Sequence, residues 1–464
     1  MKNPTTDSLK PCFEPRSVAV IGVSRSPEKA GSVIFRNLLE LKFEGKVYPV
    51  NPKADMIFEV EAYSSVDLIP DEVEAVIIAT PAPTVVEVME RCARKGVKAA
   101  IVVSSGFSEE GNNRLEQEMV KIAKRAGIRV VGPNTTGVLN TANNFITTFV
   151  PIENLRRGNV ALVAQTGMFL GAMLRSIVSS QHFGISKVVG LGNKCDVDDW
   201  EVLEYLAQDP ETAVVGMYME GVKDGRRFLE VSQRVTKEKP VLVLKSGVTE
   251  VGSKVVLSHT GSLSGKDEVF DAACRQAGIV RVKSLDELID LTKAFAFQPL
   301  PRGNRVAVVS FTGAGGVIAT DACAENGLAV ARISRKTEKK LRRVTPDWHR
   351  ILNPVDLWPA VEASGIIEAC NTAINAVVED EGVDGVIVVL AVFKGMALPY
   401  ELDILKEERR LDKPLLFCII GDKDYVELMT GVLEKRGFPV YPDIARAVKA
   451  LAVMHRYNAQ RKRL

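Results

Sequence analysis

Short apolar, β-rich runs alternate with amphipathic segments along nearly the whole of this 464-residue chain. Alternation of this kind predicts parallel strands joined by crossover helices, so that helices cover both faces of each sheet. A chain of this length has room for about three domains. We therefore predict an α/β fold of three units in series. The predicted strands are residues 17–21, 46–50, 75–79, 99–103 and 129–131 in the first unit, 158–163, 187–191, 213–218, 241–244 and 279–282 in the second, and 303–310, 329–332, 385–390, 415–419 and 439–440 in the third.

The predicted domain boundaries lie where this alternation restarts. The second and third units open on similar runs, Gly-Asn-Val-Ala-Leu-Val from Gly158 and Gly-Asn-Arg-Val-Ala-Val-Val from Gly303. This likeness indicates two related, flavodoxin-like doubly wound domains. Each strand of the first unit ends in turn residues, which is typical of the binding edge of a Rossmann-like sheet. We predict a Rossmann-like domain at residues 1–145, followed by flavodoxin-like domains at residues 146–298 and 299–464.

Composition excludes several classes of protein. An apolar fraction of 46% and a charged fraction of 25% are ordinary for a globular protein with proper cores. A net charge of +2 gives no electrostatic case for nucleic acid or an acidic membrane. No apolar run approaches the ~20 residues that span a bilayer, and the polar N-terminus lacks the apolar core of a signal peptide. Seven scattered cysteines without a CxxC pair indicate reduced thiols in a cytoplasmic protein, with no metal site.

The loop after the first predicted strand has the character of a phosphate-binding turn. Gly22, Ser24, Ser26 and Lys29 lie between that strand and a helix, where free amides and the helix dipole favour an anion. A dinucleotide site would need G-x-G-x-x-G here and an acidic residue after the second strand. The second strand instead ends at Lys53, which suits an additional phosphate. Coenzyme A, with a 3′-phosphate beside its diphosphate, fits this pattern better than NAD.

The remaining loops of the first unit are small and expose their backbone. Pro81, Ser105 and Asn134 each follow one of the next three strands, so a ligand could lie against them. We add them to the candidate coenzyme A residues. Generic turns are the alternative explanation for loops of this composition.

One histidine lies in unusual surroundings. His259 is flanked by Ser258, Thr260 and Gly261 and follows a short apolar run. Such residues predict an accessible loop on which an imidazole could accept a phosphoryl group, and the alternative is an ordinary surface histidine in a turn. The flanking glycines would let the segment move between two sites. They are Gly247, Gly252, Gly261 and Gly265.

Seven short motifs are spread over nearly the whole chain: SVAVIG at 17–22, VNPK at 50–53, GPN at 132–134, LGNK at 191–194, EGVKDGRRF at 220–228, SHTG at 258–261 and NPVD at 353–356. In this order they resemble the α subunit of ADP-forming acyl-CoA synthetases (acetate–CoA ligase, ADP-forming), which are relatives of succinyl-CoA synthetase. The resemblance implies that acyl-CoA, ADP and phosphate are interconverted with free acid, coenzyme A and ATP. It also implies an acyl phosphate and a phosphohistidine as intermediates.

The resemblance assigns roles to residues of the second unit. His259 matches the phosphorylated histidine, and Glu220 matches the carboxylate that contacts it. Gln165, Thr166 and Gly167 match the turn that holds phosphate at the start of a helix. The family usually has Ser-Gln-Ser-Gly there, so Thr166 keeps a hydroxyl while the following Met168 and Phe169 are bulkier than usual.

The same resemblance implies a partner. The chain has no G-x-x-x-x-G-K-[ST] loop, and the three units leave no room for an ATP-grasp domain. The family carries that domain, with its ATP or ADP and Mg²⁺, on a β subunit or a fused half. We therefore predict a free α subunit in an α2β2 complex. A noncatalytic coenzyme A sensor and an NAD-dependent oxidoreductase are the alternatives. Lys194 and Asp196 stay unassigned, and Cys195 is interpreted as a bystander.

Overall fold

The structure is a computed structural model, which describes residues 4–167, 169–260, 265–395, 402 and 411–463. The chain divides into two compact units, residues 1–288 and residues 289–464. The first compact unit holds two of the three main sheets, and the second compact unit holds the third. Every predicted strand is confirmed to within two residues at either end. The α/β class predicted from the alternating pattern is therefore correct.

The first sheet has five parallel strands in the order β2-β1-β5-β6-β7, and its central strands are completely buried. Burial on both faces explains their continuous apolar sequences. A short hairpin, β3-β4, lies off this sheet. The strands are β1 (Ser17–Ile21), β2 (Lys46–Val50), β3 (Met56–Ile57), β4 (Val60–Glu61), β5 (Ala75–Ile78), β6 (Ala99–Val102) and β7 (Arg129–Val131), and the helices are α1 (Pro4–Phe13), α2 (Ala30–Glu40), α3 (Ala82–Lys95) and α4 (Asn113–Ala126).

The second sheet has seven strands in the order β14-β13-β12-β10-β11-β8-β9. The five parallel strands β10 to β14 follow the flavodoxin-like order, and β8 and β9 add antiparallel strands beside β11. A π-helical turn, Phe169–Met173, precedes α5. The strands are β8 (Val138–Asn140), β9 (Phe145–Ile146), β10 (Arg157–Ala164), β11 (Ile185–Gly190), β12 (Val214–Met219), β13 (Val241–Lys245) and β14 (Val280–Val282), and the helices are α5 (Leu174–Ser180), α6 (Asp199–Gln208), α7 (Gly225–Val235), α8 (Glu250–Thr260) and α9 (Asp267–Ala277).

The third sheet, in the second compact unit, has the same order of strands, β16-β15-β18-β19-β20, and β17 pairs with the end of β15. This common order agrees with the similar openings at Gly158 and Gly303. Helix α10 (Leu285–Phe297) contains the boundary between the two compact units. The other elements are β15 (Arg305–Ser310), α11 (Gly313–Glu325), β16 (Ala329–Val330), α12 (Arg335–Leu341), β17 (Val355–Asp356), α13 (Trp358–Ser364), α14 (Ile366–Val378), β18 (Gly385–Val392), β19 (Leu415–Gly421), α15 (Lys423–Glu434), β20 (Val440–Tyr441) and α16 (Ile444–Arg461).

Within the described ranges, no helix combines the length and apolar character that crossing a bilayer requires. No group of three or more histidine, cysteine or acidic side chains in those ranges is arranged to hold a metal ion. The cysteines are free thiols, and six of the seven are buried. Burial raises the pKa of each buried thiol, which disfavours the reactive thiolate.

A buried carboxylate ties together the amino ends of three neighbouring strands of the first sheet. Glu74, just before β5, accepts hydrogen bonds from the main-chain nitrogen of Arg16 at 2.8 Å, from its Nη2 at 2.7 Å and from Lys98 Nζ at 3.1 Å. Burial would raise the pKa of Glu74, but the hydrogen bonds from Arg16 and Lys98 outweigh it and lower this pKa from 4.5 to about 2. The carboxylate is thus more acidic in the folded chain than in the unfolded chain.

We expect Glu74→Gln to lower the free energy of unfolding by about 2 kcal/mol at neutral pH. Because the folded-state pKa is depressed, this contribution is complete above pH 4.5 and is lost as the pH falls from 4.5 towards 2. Urea denaturation of both proteins at pH 7, 5, 4 and 3 measures the difference. Glu72→Gln is the control, since Glu72 contacts the same two cations from a side chain that is 60% exposed. A difference that does not change with pH would contradict the assignment.

Candidate active site

A cleft of about 750 Å³ lies at the carboxyl ends of the first three long strands of the first sheet. Five of the eight predicted coenzyme A residues line it: Gly22, Ser24, Lys29, Lys53 and Pro81. They come from loops far apart in sequence, and they meet because the carboxyl ends of parallel strands share one edge of the sheet. The structure therefore places a cleft where the sequence predicts a ligand.

The cleft has the electrostatics of an anion site. Arg25, Lys29 and Lys53 line it, and none of the described lining residues is acidic. Helix α2 begins at this cleft without a side-chain cap on its first amides and without an acidic residue in its first turn. Free amides and the positive end of the helix dipole add to the three cations. A ligand with several phosphate charges suits this surface.

Close packing of the main chain shapes the floor of the cleft. Gly22 has φ +100°, and a Cβ there would lie 2.6 Å from the carbonyl oxygen of Ala79. Asn51 Nδ2 donates to the carbonyl of Val23 at 2.5 Å, which joins the ends of β1 and β2. Thr80 also lines the cleft, and its buried Oγ1 has no hydrogen-bond partner among the described atoms. Arg25, Asn51 and Thr80 are lining residues that sequence reasoning did not select.

The other three predicted coenzyme A residues do not line the cleft. Ser26 lies beside it, and its main-chain nitrogen donates to Ser24 Oγ at 3.2 Å. Ser105 is exposed after β6. Asn134 adopts a left-handed φ of +58° in the turn after β7, and a Cβ on Gly192 would lie 2.9 Å from its carbonyl oxygen. Asn134 therefore lies where the loops of the first and second sheets meet.

Glu220 and Gln165 meet at the carboxyl edge of the second sheet. Gln165 follows β10 and Glu220 follows the neighbouring strand β12. Gln165 Oε1 accepts hydrogen bonds from the main-chain nitrogens of Glu220 at 2.5 Å and Gly221 at 3.0 Å. Both side chains are buried, at 5% and 4% exposure. The oxygen of Gln165 is thus bonded to protein and is closed to a ligand.

One oxygen of the Glu220 carboxylate is not used by the fold. Its Oε2 is buried and has no hydrogen-bond partner within the described part of the chain. Burial raises the pKa of the neighbouring Tyr218 hydroxyl, Ser246 acts to lower it, and the charge of the Glu220 carboxylate and a hydrogen bond with it raise it further. A buried carboxylate oxygen without a partner costs free energy, so it marks a functional position.

The predicted phosphate turn is present beside Glu220. Thr166 is half-buried, and Gly167 is exposed and begins the helical segment that leads to α5. A Cβ on Gly167 would lie 3.2 Å from Thr136 Cγ2, so a larger residue would crowd the loop after β7. Met168 and the side chain of Phe169 lie outside the described residues. Whether this turn holds phosphate stays a prediction.

His259 belongs to helix α8, which runs from Glu250 to Thr260, so the prediction of a loop is wrong for residues 258–260. Thr249 Oγ1 accepts a hydrogen bond from the main-chain nitrogen of Gly252 at 3.0 Å, which caps the helix. Gly252 lies in the first turn, where glycine disturbs a helix little, and Glu250 pairs with Lys254 one turn later at 3.3 Å. The side chain of His259 and residues 261–264 lie outside the described residues. The contact between His259 and Glu220 therefore stays a prediction.

Two buried lysines lie beside Glu220, and sequence reasoning assigned neither. Lys194 Nζ contacts Asp199 Oδ2 at 2.6 Å and donates to the carbonyl of Gly221 at 2.8 Å. Burial raises the pKa of Asp199 to about 6, although Lys194 acts to lower it. Lys245 Nζ donates to the carbonyl of Glu220 at 2.9 Å. The only sequence signal for Lys245 is a lysine that ends the apolar strand β13.

Cys195 has no features of a nucleophile. Its side chain packs against the core of the first sheet. Burial raises the pKa of the Cys195 thiol well above its ordinary value, and the nearby acidic side chains Glu116 and Asp196 raise it further. The thiolate is therefore disfavoured, which agrees with its interpretation as a bystander.

Two family models match residues that lie almost entirely in the first compact unit. The model described as "CoA binding domain" matches residues 16–141, and the model described as "Succinyl-CoA ligase like flavodoxin domain" matches residues 157–295. The first match contains the cationic cleft. The second contains Gln165, Glu220 and His259.

Several curated proteins are similar over almost the whole chain. An ADP-forming acetate–CoA ligase II from Archaeoglobus fulgidus is 50% identical, over 98% of this chain and 68% of that protein. The α subunits of ADP-forming acetate–CoA ligases II and I from Pyrococcus furiosus are each 39% identical, over 95% and 97% of this chain and 96% and 98% of theirs. The designation of those relatives as α subunits implies a partner subunit.

A solved structure has the same fold. It is the dinucleotide-forming acetyl-coenzyme A synthetase 1 of Ca. Korarchaeum cryptofilum in complex with phosphate and ADP, which is 34% identical. The TM-score is 0.91, over 98% of this chain and 97% of that one. Together with the curated relatives, this likeness shows that the chain belongs to the family of ADP-forming acetate–CoA ligases, within the succinyl-CoA synthetase superfamily, and corresponds to their α subunit.

Proposed function

We propose that this chain is the α subunit of an enzyme that converts acyl-CoA, ADP and phosphate into a free acid, coenzyme A and ATP, reversibly, with His259 as the phosphoryl carrier. The observation that carries the proposal is the buried Glu220 carboxylate, whose Oε2 has no partner in the described structure. A binding protein has no use for such a carboxylate, whereas a histidine that carries a phosphoryl group needs one. The relatives named above are ligases and do not favour a noncatalytic coenzyme A sensor.

The chemistry has three balanced steps. A phosphate oxygen attacks the thioester carbonyl carbon, and the carbon–sulfur bond breaks to release coenzyme A and leave an acyl phosphate. A ring nitrogen of His259 then attacks the phosphorus, and the phosphorus–oxygen bond to the acyl group breaks to release the carboxylate. Finally an oxygen of ADP attacks the same phosphorus, and the phosphorus–nitrogen bond breaks to form ATP. A neutral imidazole is the nucleophile, so a carboxylate on the other ring nitrogen raises its reactivity.

The first sheet binds coenzyme A in this proposal. The adenosine diphosphate part lies in the cationic cleft, with its diphosphate at the start of α2 and its 3′-phosphate beside Lys53. Asn134 lies beside Gly192, where the loops of the two sheets meet, and in this proposal it contacts the part of coenzyme A that extends towards Thr166 and Gly167.

We expect Lys53→Met to weaken the binding of coenzyme A about tenfold and to leave the binding of 3′-dephospho-coenzyme A within twofold of wild type. The lost interaction is a charge contact to the one phosphate by which the two ligands differ. Isothermal titration of both ligands measures it, with Lys121→Met as control, since Lys121 is exposed on α4 and does not line the cleft. An equal loss of affinity for both ligands would show that Lys53 contacts a part of coenzyme A other than its 3′-phosphate.

The partner in this proposal is a β subunit with an ATP-grasp domain, which binds ADP or ATP with Mg²⁺ in an α2β2 complex. The Pyrococcus furiosus α subunits match this chain end to end, whereas the Archaeoglobus fulgidus ligase is longer than the matched region. This difference supports a division of the activity between two chains in some members and one chain in others.

The test is formation of ATP by the chain co-purified with its β subunit. The complex is given acetyl-CoA and other acyl-CoAs, with ADP, phosphate and Mg²⁺, and both ATP and free thiol are measured. The proposal predicts equal amounts of ATP and coenzyme A, no thiol release when phosphate is left out, and no continued turnover when ADP is left out. Without ADP, the single equivalent of thiol per active site that accompanies phosphorylation of His259 is still expected. Continued thiol release that needs neither phosphate nor ADP would indicate a thioesterase and would overturn the proposal.

A further inference from the structure

The dipeptide Glu220-Gly221 is held at every polar main-chain atom. Gln165 Oε1 accepts from both nitrogens, at 2.5 and 3.0 Å. Lys245 Nζ donates to the carbonyl of Glu220 at 2.9 Å, and Lys194 Nζ donates to the carbonyl of Gly221 at 2.8 Å. Three side chains thus replace the strand neighbours that these atoms lose where β12 ends. We call Gln165, Lys194 and Lys245 the Glu220 brace.

The brace is buried and comes from three separate segments. Gln165, Lys194 and Lys245 are 5%, 3% and 5% exposed, and they follow or end β10, β11 and β13. Burial lowers the pKa of Lys245, which reflects the free energy that its buried charge costs. Lys194 has a left-handed φ of +53°, which is strained for a side chain other than glycine. A neutral donor such as an amide or a hydroxyl would satisfy each carbonyl without burying a charge, so folding alone does not explain two buried ammonium groups here.

The Glu220 brace fixes the main-chain position from which the Glu220 side chain extends. With both peptide groups of Glu220-Gly221 immobilised, the position of the Glu220 carboxylate depends only on its own side-chain torsions and on its interaction with Tyr218. Its Oε2 is buried and makes no hydrogen bond to the described residues. A catalytic group reacts or binds faster with an incoming partner when its orientation is already fixed before the partner arrives.

We propose that Lys194 and Lys245 are positioning residues for phosphoryl transfer, which hold the Glu220 carboxylate in the orientation that receives the imidazole of His259. This inference rests on the proposed function. It also changes the role of Gln165: the oxygen of this side chain positions Glu220, in addition to any contact that its turn makes with phosphate. Lys194 and Lys245 touch no substrate in this proposal and act through Glu220.

The chain offers a matched control for each lysine. Lys187 is 1% exposed and pairs with Asp209 at 2.7 Å, as Lys194 pairs with Asp199, but it makes no contact with Glu220. Lys413 donates to the carbonyls of Asp380 and Val383 at 2.7 and 2.8 Å, as Lys245 donates to two carbonyls, and it belongs to the second compact unit. Replacing any of these four lysines by methionine removes a buried ammonium group, and the surroundings of each control lysine resemble those of the lysine it is matched with.

The experiment measures the rate of ³²P incorporation from [γ-³²P]ATP into the complex with its β subunit, by rapid quench. We expect Lys194→Met and Lys245→Met to slow labelling 10- to 100-fold and to leave the KM for coenzyme A within twofold. Lys187→Met and Lys413→Met are expected to label within twofold of wild type. If a methionine variant does not fold, the glutamine variant, which keeps an N–H donor at shorter reach, takes its place with the same expectation. Labelling of the brace variants at the rate of the controls would overturn the proposal.

A double-mutant cycle separates positioning from general support of the fold. In a Glu220→Gln background, where the carboxylate is already gone, we expect Lys194→Met and Lys245→Met to change the labelling rate by less than about twofold. If they still cost 10- to 100-fold there, the lysines do not act through Glu220 and the inference is wrong. A wild-type complex that binds ATP but takes up no label overturns the proposed function itself, and the positioning role with it.

Discussion

Replacing His259 with alanine is expected to lower the rate of ATP formation from acyl-CoA, ADP and phosphate by at least about 10⁴-fold. In the proposed reaction, the imidazole carries the phosphoryl group between the acyl phosphate and ADP. Alanine offers no atom to which phosphorus can bond, so the two half-reactions become disconnected. The rate is measured with the purified α–β complex in a coupled ATP assay.

Coenzyme A binding separates this loss from unfolding. The cationic cleft belongs to the first sheet, so His259→Ala should bind coenzyme A within twofold of wild type in isothermal titration. His349→Ala is the control, since this histidine stacks edge-on against Trp348 in the second compact unit and has no place in the proposed reaction. Turnover that survives in His259→Ala would remove the histidine from the mechanism.

Replacing Glu220 with glutamine is expected to slow phosphoryl transfer about 10²- to 10³-fold and to leave the KM for coenzyme A unchanged. Glutamine has nearly the same shape. The hydrogen bonds that Gln165 accepts and that Lys194 and Lys245 donate all join the main chain of Glu220-Gly221, so the position of residue 220 should be preserved. The variant loses the negative charge that would hold the imidazole N–H and stabilise the positive charge that grows on the ring. Single-turnover labelling and discharge of the phosphoenzyme measure both directions.

A surface carboxylate provides the comparison for Glu220. Glu211 pairs with Arg157 at 2.9 Å from a side chain that is 38% exposed, so Glu211→Gln should label at the wild-type rate. If Glu220→Gln labels within about threefold of wild type, the buried carboxylate oxygen has some other purpose, and the resemblance assigned its role wrongly.

Much of the fold was predictable because parallel strands buried on both faces are continuous apolar runs. Such runs locate β1, β10 and β15 without any knowledge of their neighbours. Strands β8 and β9 were missed because they are antiparallel additions beside β11 and lie outside the alternation of parallel strands with helices. Helix α8 was missed for another reason: glycine and serine suggested a loop, while the Thr249 cap and the Glu250–Lys254 pair were not weighed.

The candidate site also has one part that could be predicted from the sequence and one part that could not. The cationic cleft could be predicted because its residues sit in loops that follow successive strands, and sheet topology alone brings such loops together. The Glu220 brace could not be predicted, because Lys194 and Lys245 donate hydrogen bonds to main-chain carbonyls. Every residue has such a carbonyl, so the residue type of the partner does not reveal the contact. Buried lysines at strand ends are the one signal that sequence reasoning could have used.

The most direct test of the central claim is the kinetic competence of a phosphohistidine at His259. The α–β complex is labelled with [γ-³²P]ATP and Mg²⁺, and the label is chased with acetate and coenzyme A, or with another acid that the complex uses, by rapid quench. The account predicts an acid-labile, alkali-stable label on His259 that discharges at least as fast as the enzyme turns over. Absence of label from a complex that binds ATP, label on another residue, or discharge slower than turnover would contradict it.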